Sequence, residues 1–168
     1  MKLLFDYPAK SWEEALPIGN GHMGGMVYSD LPKDRIDLTE NTFFSGEKDF
    51  HSKEGSPENF KKMRESICKG DYEKAHKIAN QFIGERGNYG THLPTGQLFF
   101  RYDFGNKKKV ESYRRQLDIS SGVVTSYCIV NGQKIEVEVF TSHVHKVMIY
   151  RMKTEKEPID VEVSFLSH

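Results

Sequence analysis

Four polar side chains and three rings stand beside glycine turns within the first 44 residues of this chain. Asn20, His22, Glu40 and Asn41 carry amide, imidazole and carboxylate groups that can hydrogen-bond hydroxyls. Trp12, Phe43 and Phe44 carry rings that can stack on a flat apolar face or anchor an interface. Gly19, Gly21, Gly24 and Gly25 let the backbone come close to another surface. Residues 17–25 and 39–46 are therefore the candidate functional segments, because loops held on a rigid scaffold often carry function.

Other chemistries have weaker support. Gly19 to Gly24 fits G-x-G-x-x-G letter for letter. A dinucleotide site needs an apolar strand before that motif and a helix after it, whereas here Pro17 precedes it and the strand-like Met23 to Tyr28 follows. A glycine turn feeding a strand is the expectation. His143 and His145 would share one face of an extended strand, but no third ligand stands near them, so no metal is expected. Lys107-Lys108-Lys109 reads as a solvated loop. Glu13, Glu14, Asp34, Asp37 and Glu40 supply carboxylates, and a compact hydrolase acting through those near 34–40 is one rival reading. Ser45-Gly46 and Ser142-His143 lack the G-x-S-x-G elbow of a serine hydrolase.

The elements that must position these residues fall into three zones. Residues 1–50 are rich in aromatics and glycine. Short strands are predicted at Met23 to Tyr28 and Arg35 to Leu38, with Pro17, Gly19, Gly21 and Pro32 holding the backbone between them in turns. Residues 56–83 are helical. Ser56 caps a helix with Pro57 at its first position, Gly70 stops it, and Asp71 caps a second. Tyr72, Ala75, Ile78, Ala79 and Phe82 would share one face of that second helix. The pair reads as a hairpin inserted on a sheet. Residues 97–166 are β-rich. Leu98, Phe100 and Tyr102 alternate with Gln97, Phe99 and Arg101, and Asn131-Gly132 marks a type I′ hairpin. Ile135, Val137 and Val139 point one way and Glu136 and Glu138 the other, as in a strand with one wet face. Val147 to Met152 and Ile159 to Phe165 are expected to continue the meander. The fold class is mainly β: an antiparallel β-sandwich with a short inserted helical hairpin.

Bulk properties narrow the partners. The 24 Lys and Arg balance the 24 Asp and Glu, so charge gives no reason to expect nucleic acid or an anionic membrane. No stretch approaches the roughly 18 apolar residues of a membrane span. The apolar run at the start is short and ends at Asp6, so no signal peptide is read and a cytoplasmic location is expected. Cys68 and Cys128 read as two reduced thiols. No cofactor is expected. The chain closes on a strand, which predicts an uncovered edge able to self-associate and a domain continued by further polypeptide.

Five collinear segments carry a family resemblance. Pro8-Ala9 and the run from Trp12 through Ala15-Leu16-Pro17-Ile18-Gly19-Asn20-Gly21 to Val27 resemble the opening of glycoside hydrolase family 95. Arg35 to Gly46 resembles that family's Leu-Asn-Glu-Asp-Thr-Leu-Trp-Ser-Gly segment and departs from it at Thr39, Asn41 and Phe44. Leu93-Pro94-Thr95-Gly96-Gln97-Leu98 is similar to Pro-Leu-Gly-Asp-Leu, Tyr113-Arg114-Arg115-Gln116-Leu117-Asp118 to Tyr-Arg-Arg-x-Leu-Asp, and Glu138 to Ser142 to the strand after the hairpin.

The resemblance implies that residues 1–168 are the incomplete N-terminal β-supersandwich domain of an α-L-fucosidase-like enzyme, docked in the parent chain on a catalytic (α/α)6 barrel. It implies that the parent hydrolyses α-L-fucosides or related galactosides with inversion, acting on fucosylated oligosaccharides. The family's catalytic residues belong to the barrel, so none is assigned to this chain. Segments 17–25 and 39–46 would then form the rim facing the barrel, with Trp12, Asn20, His22, Glu40, Asn41, Phe43 and Phe44 as substrate or interface candidates. The rival from a different class is a free-standing carbohydrate-binding module using Trp12, Phe43 and Phe44.

Overall fold

The computed structural model describes residues 1–46, 56–82, 90–105 and 110–167. Ten strands follow in chain order: β1 (Lys2–Phe5), β2 (Leu16–Gly19), β3 (Met23–Val27), β4 (Lys33–Glu40), β5 (Gly96–Tyr102), β6 (Val110–Asp118), β7 (Val123–Val130), β8 (Gln133–Ser142), β9 (Val147–Thr154) and β10 (Val161–Ser167). Helices α1 (Pro57–Cys68) and α2 (Tyr72–Ala79) lie between β4 and β5. The chain divides into two compact units: residues 1–43 with 93–168, which hold every described strand, and residues 44–92, which hold the helices.

The first unit is a sandwich of two antiparallel five-stranded sheets, ordered β1-β6-β7-β8-β9 and β10-β5-β4-β3-β2. Period-2 alternation sets its core. Ile135, Val137 and Val139 of β8 are buried, as are Val124, Cys128 and Val130 of β7. They meet Ile36 of β4, Val27 of β3, and Phe100 and Tyr102 of β5 in one cluster. The Asn131-Gly132 turn has positive φ at both residues, 51° and 73°, as a type I′ hairpin requires. At Gly25 an added Cβ would stand 2.8 Å from Ile36 Cγ2 and 3.0 Å from Met148 Cε, so close packing across the sandwich requires glycine there.

Three expectations need correction, and two strands were not foreseen. Pro17 and Gly19 lie in a strand, β2, rather than in turns; β2 is an edge strand, where proline's missing N–H leaves no broken ladder. Lys2–Phe5 and Val110–Asp118 form strands β1 and β6 that no short-range pattern announced. Residues after β9 do not extend the meander: β10 crosses over and pairs with β5, Phe165 opposite Leu98. Residues 143–146 form the β8–β9 turn, so His143 and His145 do not lie along a strand.

In the second unit the caps behave as read. Ser56 accepts from the Asn59 amide and Asp71 from that of Lys74. The apolar face of α2 is narrower than expected, for Ala75 is buried while Tyr72 is 70% exposed. Lys107-Lys108-Lys109 lies outside the described residues.

Candidate functional site

One end of the sandwich is assembled from three turns far apart in sequence. The β2–β3 turn, the segment after β4 and the β8–β9 turn meet there, and Asn20 joins the first to the third. Its Oδ1 accepts from the amides of His22 (3.0 Å) and Met23 (2.9 Å), closing the turn in which Gly21 has φ +86°. Its Nδ2 donates to the Ser142 carbonyl at 2.8 Å. Ring atom Nδ1 of His143 meets the Asn20 carbonyl at 2.9 Å; a carbonyl only accepts, so Nδ1 carries a proton. Asn41 closes the second junction, its amide donating to the His22 carbonyl (2.9 Å) and its Nδ2 to that of Gly21 (2.9 Å). Glu40 Oε2 accepts from Thr42 N at 2.9 Å and Thr42 Oγ1 at 2.6 Å.

The expected site residues thus separate into groups. Asn20, His22, Glu40 and Asn41 come together, and Phe43 follows them, its amide bonded to the Glu40 carbonyl and its own carbonyl to Leu93 N. Trp12, 57% exposed, precedes β2 and so stands at the opposite end of that strand from Asn20. Phe44 belongs to the second unit, where it bridges His92 and meets its ring edge-on at 5.0 Å. Trp12 and Phe43 therefore stand toward opposite ends of β2 and do not build a shared platform. His143 is the site residue that sequence reasoning missed. It was considered only as a metal ligand, and its partner Asn20 stands 123 positions away.

The carboxylates of β4 do not form a catalytic pair. Asp34 and Asp37 point to opposite faces, Asp34 into the core and Asp37 outward. Asp34 and Glu40 share a face but sit six residues apart, about 20 Å along a strand. An inverting pair needs about 6.5–9.5 Å. Asp34 instead accepts from Tyr150 Oη (3.0 Å), Asp30 N (3.1 Å) and Arg35 N (2.8 Å), and burial pushes its carboxyl up to about 6. Tyr150 also hydrogen-bonds Tyr102, and desolvation drives both phenols upward. Arg115, wholly buried, donates from Nε to the Tyr7 carbonyl (2.8 Å) and from Nη1 to that of Glu14 (2.7 Å), with its guanidinium over the Phe5 ring. The Tyr-Arg-Arg segment therefore clamps the crossing between β1 and β2. Among the described residues, no group of three or more His, Cys, Asp or Glu side chains could hold a metal ion, and no helix is long and apolar enough to cross a membrane.

The first unit is thus an antiparallel sandwich with a polar end built from loops. The chain belongs to the family described as glycosyl hydrolase family 65, N-terminal domain, which it matches over residues 3–168. It is 26% identical over 167 residues to alpha-L-fucosidase 2 of Arabidopsis thaliana, covering 98% of this chain and 20% of that protein. It is 27% identical over 150 residues to the probable alpha-fucosidase A of Aspergillus niger, covering 83% of this chain and 18% of that one. A probable alpha-fucosidase A of Aspergillus oryzae is 23% identical over 172 residues, covering 96% and 23%. The chain spans about a fifth of the length of these curated relatives. The fucosidase relatives agree with the resemblance read from the sequence, while the matching family carries the number 65 rather than 95.

Proposed function

We propose that this chain is the non-catalytic N-terminal sandwich of a longer hydrolase that removes terminal α-L-fucosyl or related galactosyl groups with inversion. In this reading the Asn20–Asn41–His143 end is the rim that faces the parent's catalytic helical barrel. The observation that carries it is the joining of three sequence-distant turns through the side chains of Asn20 and Asn41, which leaves His22 exposed on a fixed backbone. A rim that orders a neighbouring active site must itself be rigid, and this end is cross-linked by bonds from side chain to backbone.

Strand β10 supports the same reading from another side. It is a sheet edge, and Val163 and Phe165, which share the inward register of Phe100 and Leu98, remain 57% and 55% exposed. Apolar side chains on the core side of a strand call for a covering layer. Further polypeptide of the parent supplies that layer; pairing of two copies through β10 is the competing outcome for the isolated chain.

The test is made in the full-length parent. Replacing His22 by Ala and Glu40 by Gln should lower kcat/KM for a nitrophenyl α-L-fucoside while the melting temperature stays within about 2 °C, since His22 is exposed and glutamine keeps an oxygen that can accept from Thr42. Unchanged turnover in both variants overturns the rim assignment.

A further inference from the structure

The outer face of the sheet that contains β4, β5 and β10 carries a second arrangement, remote from the rim residues. The register lays out three rows of three side chains: Lys33, Arg101 and Glu162; Arg35, Phe99 and Ser164; Asp37, Gln97 and Leu166. Strand spacing and rise make this plate about 10 by 14 Å. Phe99 is its central residue and its single ring, while the inward Leu98, Phe100 and Tyr102 belong to the core. The segment before β2 covers the adjoining strand, with Ala9 and Ala15 packed on Tyr28 and Met26, and its edge walls the plate on that side.

The polar groups of the plate are fixed by one another. Asp37 accepts from Tyr28 Oη (2.8 Å) on one oxygen and from Gln97 Nε2 (2.7 Å) on the other. Arg35 lies with its guanidinium 3.9 Å from the Tyr28 ring centre, and its Nε is 3.2 Å from Asp37 Oδ1, an ion pair without hydrogen-bond alignment. A solvated sheet face ordinarily carries side chains free to move; here three side chains, Tyr28, Gln97 and Arg35, converge on the Asp37 carboxylate. Two clefts flank Phe99. One, of about 460 Å³, is lined by Lys10, Tyr28, Asp30, Lys33, Arg35 and Phe99 among others. The second, of about 260 Å³, includes Lys33, Phe99, Arg101, Glu162 and Ser164. In the larger cleft Lys10, Lys33 and Arg35 stand against two acids, Asp30 in its lining and Asp37 paired with Arg35, so one cation is in excess.

We propose that this plate is a docking site for a uronate-bearing saccharide, with a pyranose ring seated on Phe99 and its carboxylate toward Arg35 and Lys33. A ring face matches the apolar side of a pyranose, preset planar donors match its hydroxyls, and the excess of cations selects an acidic sugar over a neutral one. The carbohydrate class follows from membership in a glycosyl hydrolase family; the location and the preference for charge follow from the plate. No residue of the rim takes part, so this site stands or falls apart from the reading above.

Calorimetric titration of the 168-residue chain with tri-galacturonate and with a neutral galactose trisaccharide tests the proposal. Saturable binding of the acid at least about tenfold tighter than the neutral sugar is expected, weakening as salt is raised. Phe99→Leu, which keeps bulk and removes the ring face, and Lys33→Gln, at an exposed position, should each weaken it severalfold with the circular dichroism melt unchanged. No saturable binding, equal affinity for the neutral sugar, or affinity untouched by both variants would overturn it. Binding by the chain but none by the intact parent enzyme would also overturn it, since the face would then be an internal contact.

Discussion

Asp34→Asn offers the sharpest test of how the core was read. Asp34 is buried, no cation among the described residues pairs with it, and its partners include the backbone amides of Asp30 and Arg35 and the Tyr150 hydroxyl. Those bonds favour the carboxylate, but desolvation outweighs them and lifts the folded value from 3.8 to about 6. The sign follows. A raised folded value means that the native state holds the proton more tightly. The contribution to stability is complete below pH 3.8 and is lost as pH climbs through about 6. A gap of that size corresponds to about 3 kcal/mol over the whole range, of which a little under half falls between pH 7.5 and pH 5. Asparagine has the same shape and no charge. Its oxygen can keep both amides, and its nitrogen can donate to Tyr150, which then donates to Tyr102. Urea unfolding of both proteins at the two pH values gives the relevant double difference, in which the other carboxylates cancel. The variant should improve on the parent chain at pH 7.5 by about 1 kcal/mol more than at pH 5. A pH-independent difference would refute the reasoning, and one of opposite sign would show that the amide bonds outweigh burial.

Further outcomes are expected from packing and hydrogen bonding. Arg115→Ala removes two charge-assisted bonds and leaves the Tyr7 and Glu14 carbonyls short of a donor; a loss of about 3 kcal/mol in urea unfolding is expected. Asn20→Ala frees the amides of His22 and Met23 and the Ser142 carbonyl, and should cost about 1–2 kcal/mol with faster hydrogen exchange at Met23. Gly25→Ala drives a methyl group against Ile36 and Met148 and should destabilise by about 1–3 kcal/mol, whereas Gly122→Ala, with open space around it, should show only the cost of its positive φ. Phe165→Glu on the exposed edge should abolish any concentration-dependent association seen by sedimentation; persistence of that association would place the contact elsewhere.

Local chemistry announced much of the fold. The Asn131-Gly132 turn, the Ser56 and Asp71 caps, and the alternation in β5 and β8 could all be read from a few neighbouring residues, because turn dihedrals, capping bonds and strand faces are short-range matters. The same holds for Asn20, whose amide closes its own turn. Strands β1 and β6 were not legible. β1 is four residues long, and β6 carries its buried positions, Arg115 and Leu117, beside a charged run broken by the shift between Glu111 and Arg114. A buried arginine reads as a surface residue until its acceptors are known, and these are the carbonyls of residues 7 and 14.

By itself the sequence determined which side chains could bond hydroxyls or stack on rings, which strands have one wet face, and that helices interrupt the sheet, since each of these follows from spacing within a few residues. Tertiary structure alone decided which candidates meet. It brought His143 to Asn20 across more than 120 positions, left Trp12 at the far end of β2, and turned Asp34 and Asp37 of one strand to opposite faces. It also carried β10 across to the second sheet and thereby placed Ser164 beside Phe99. The physical reason is that pairing register and sheet exchange are fixed by burying apolar faces over the whole sandwich, a condition that no single segment contains.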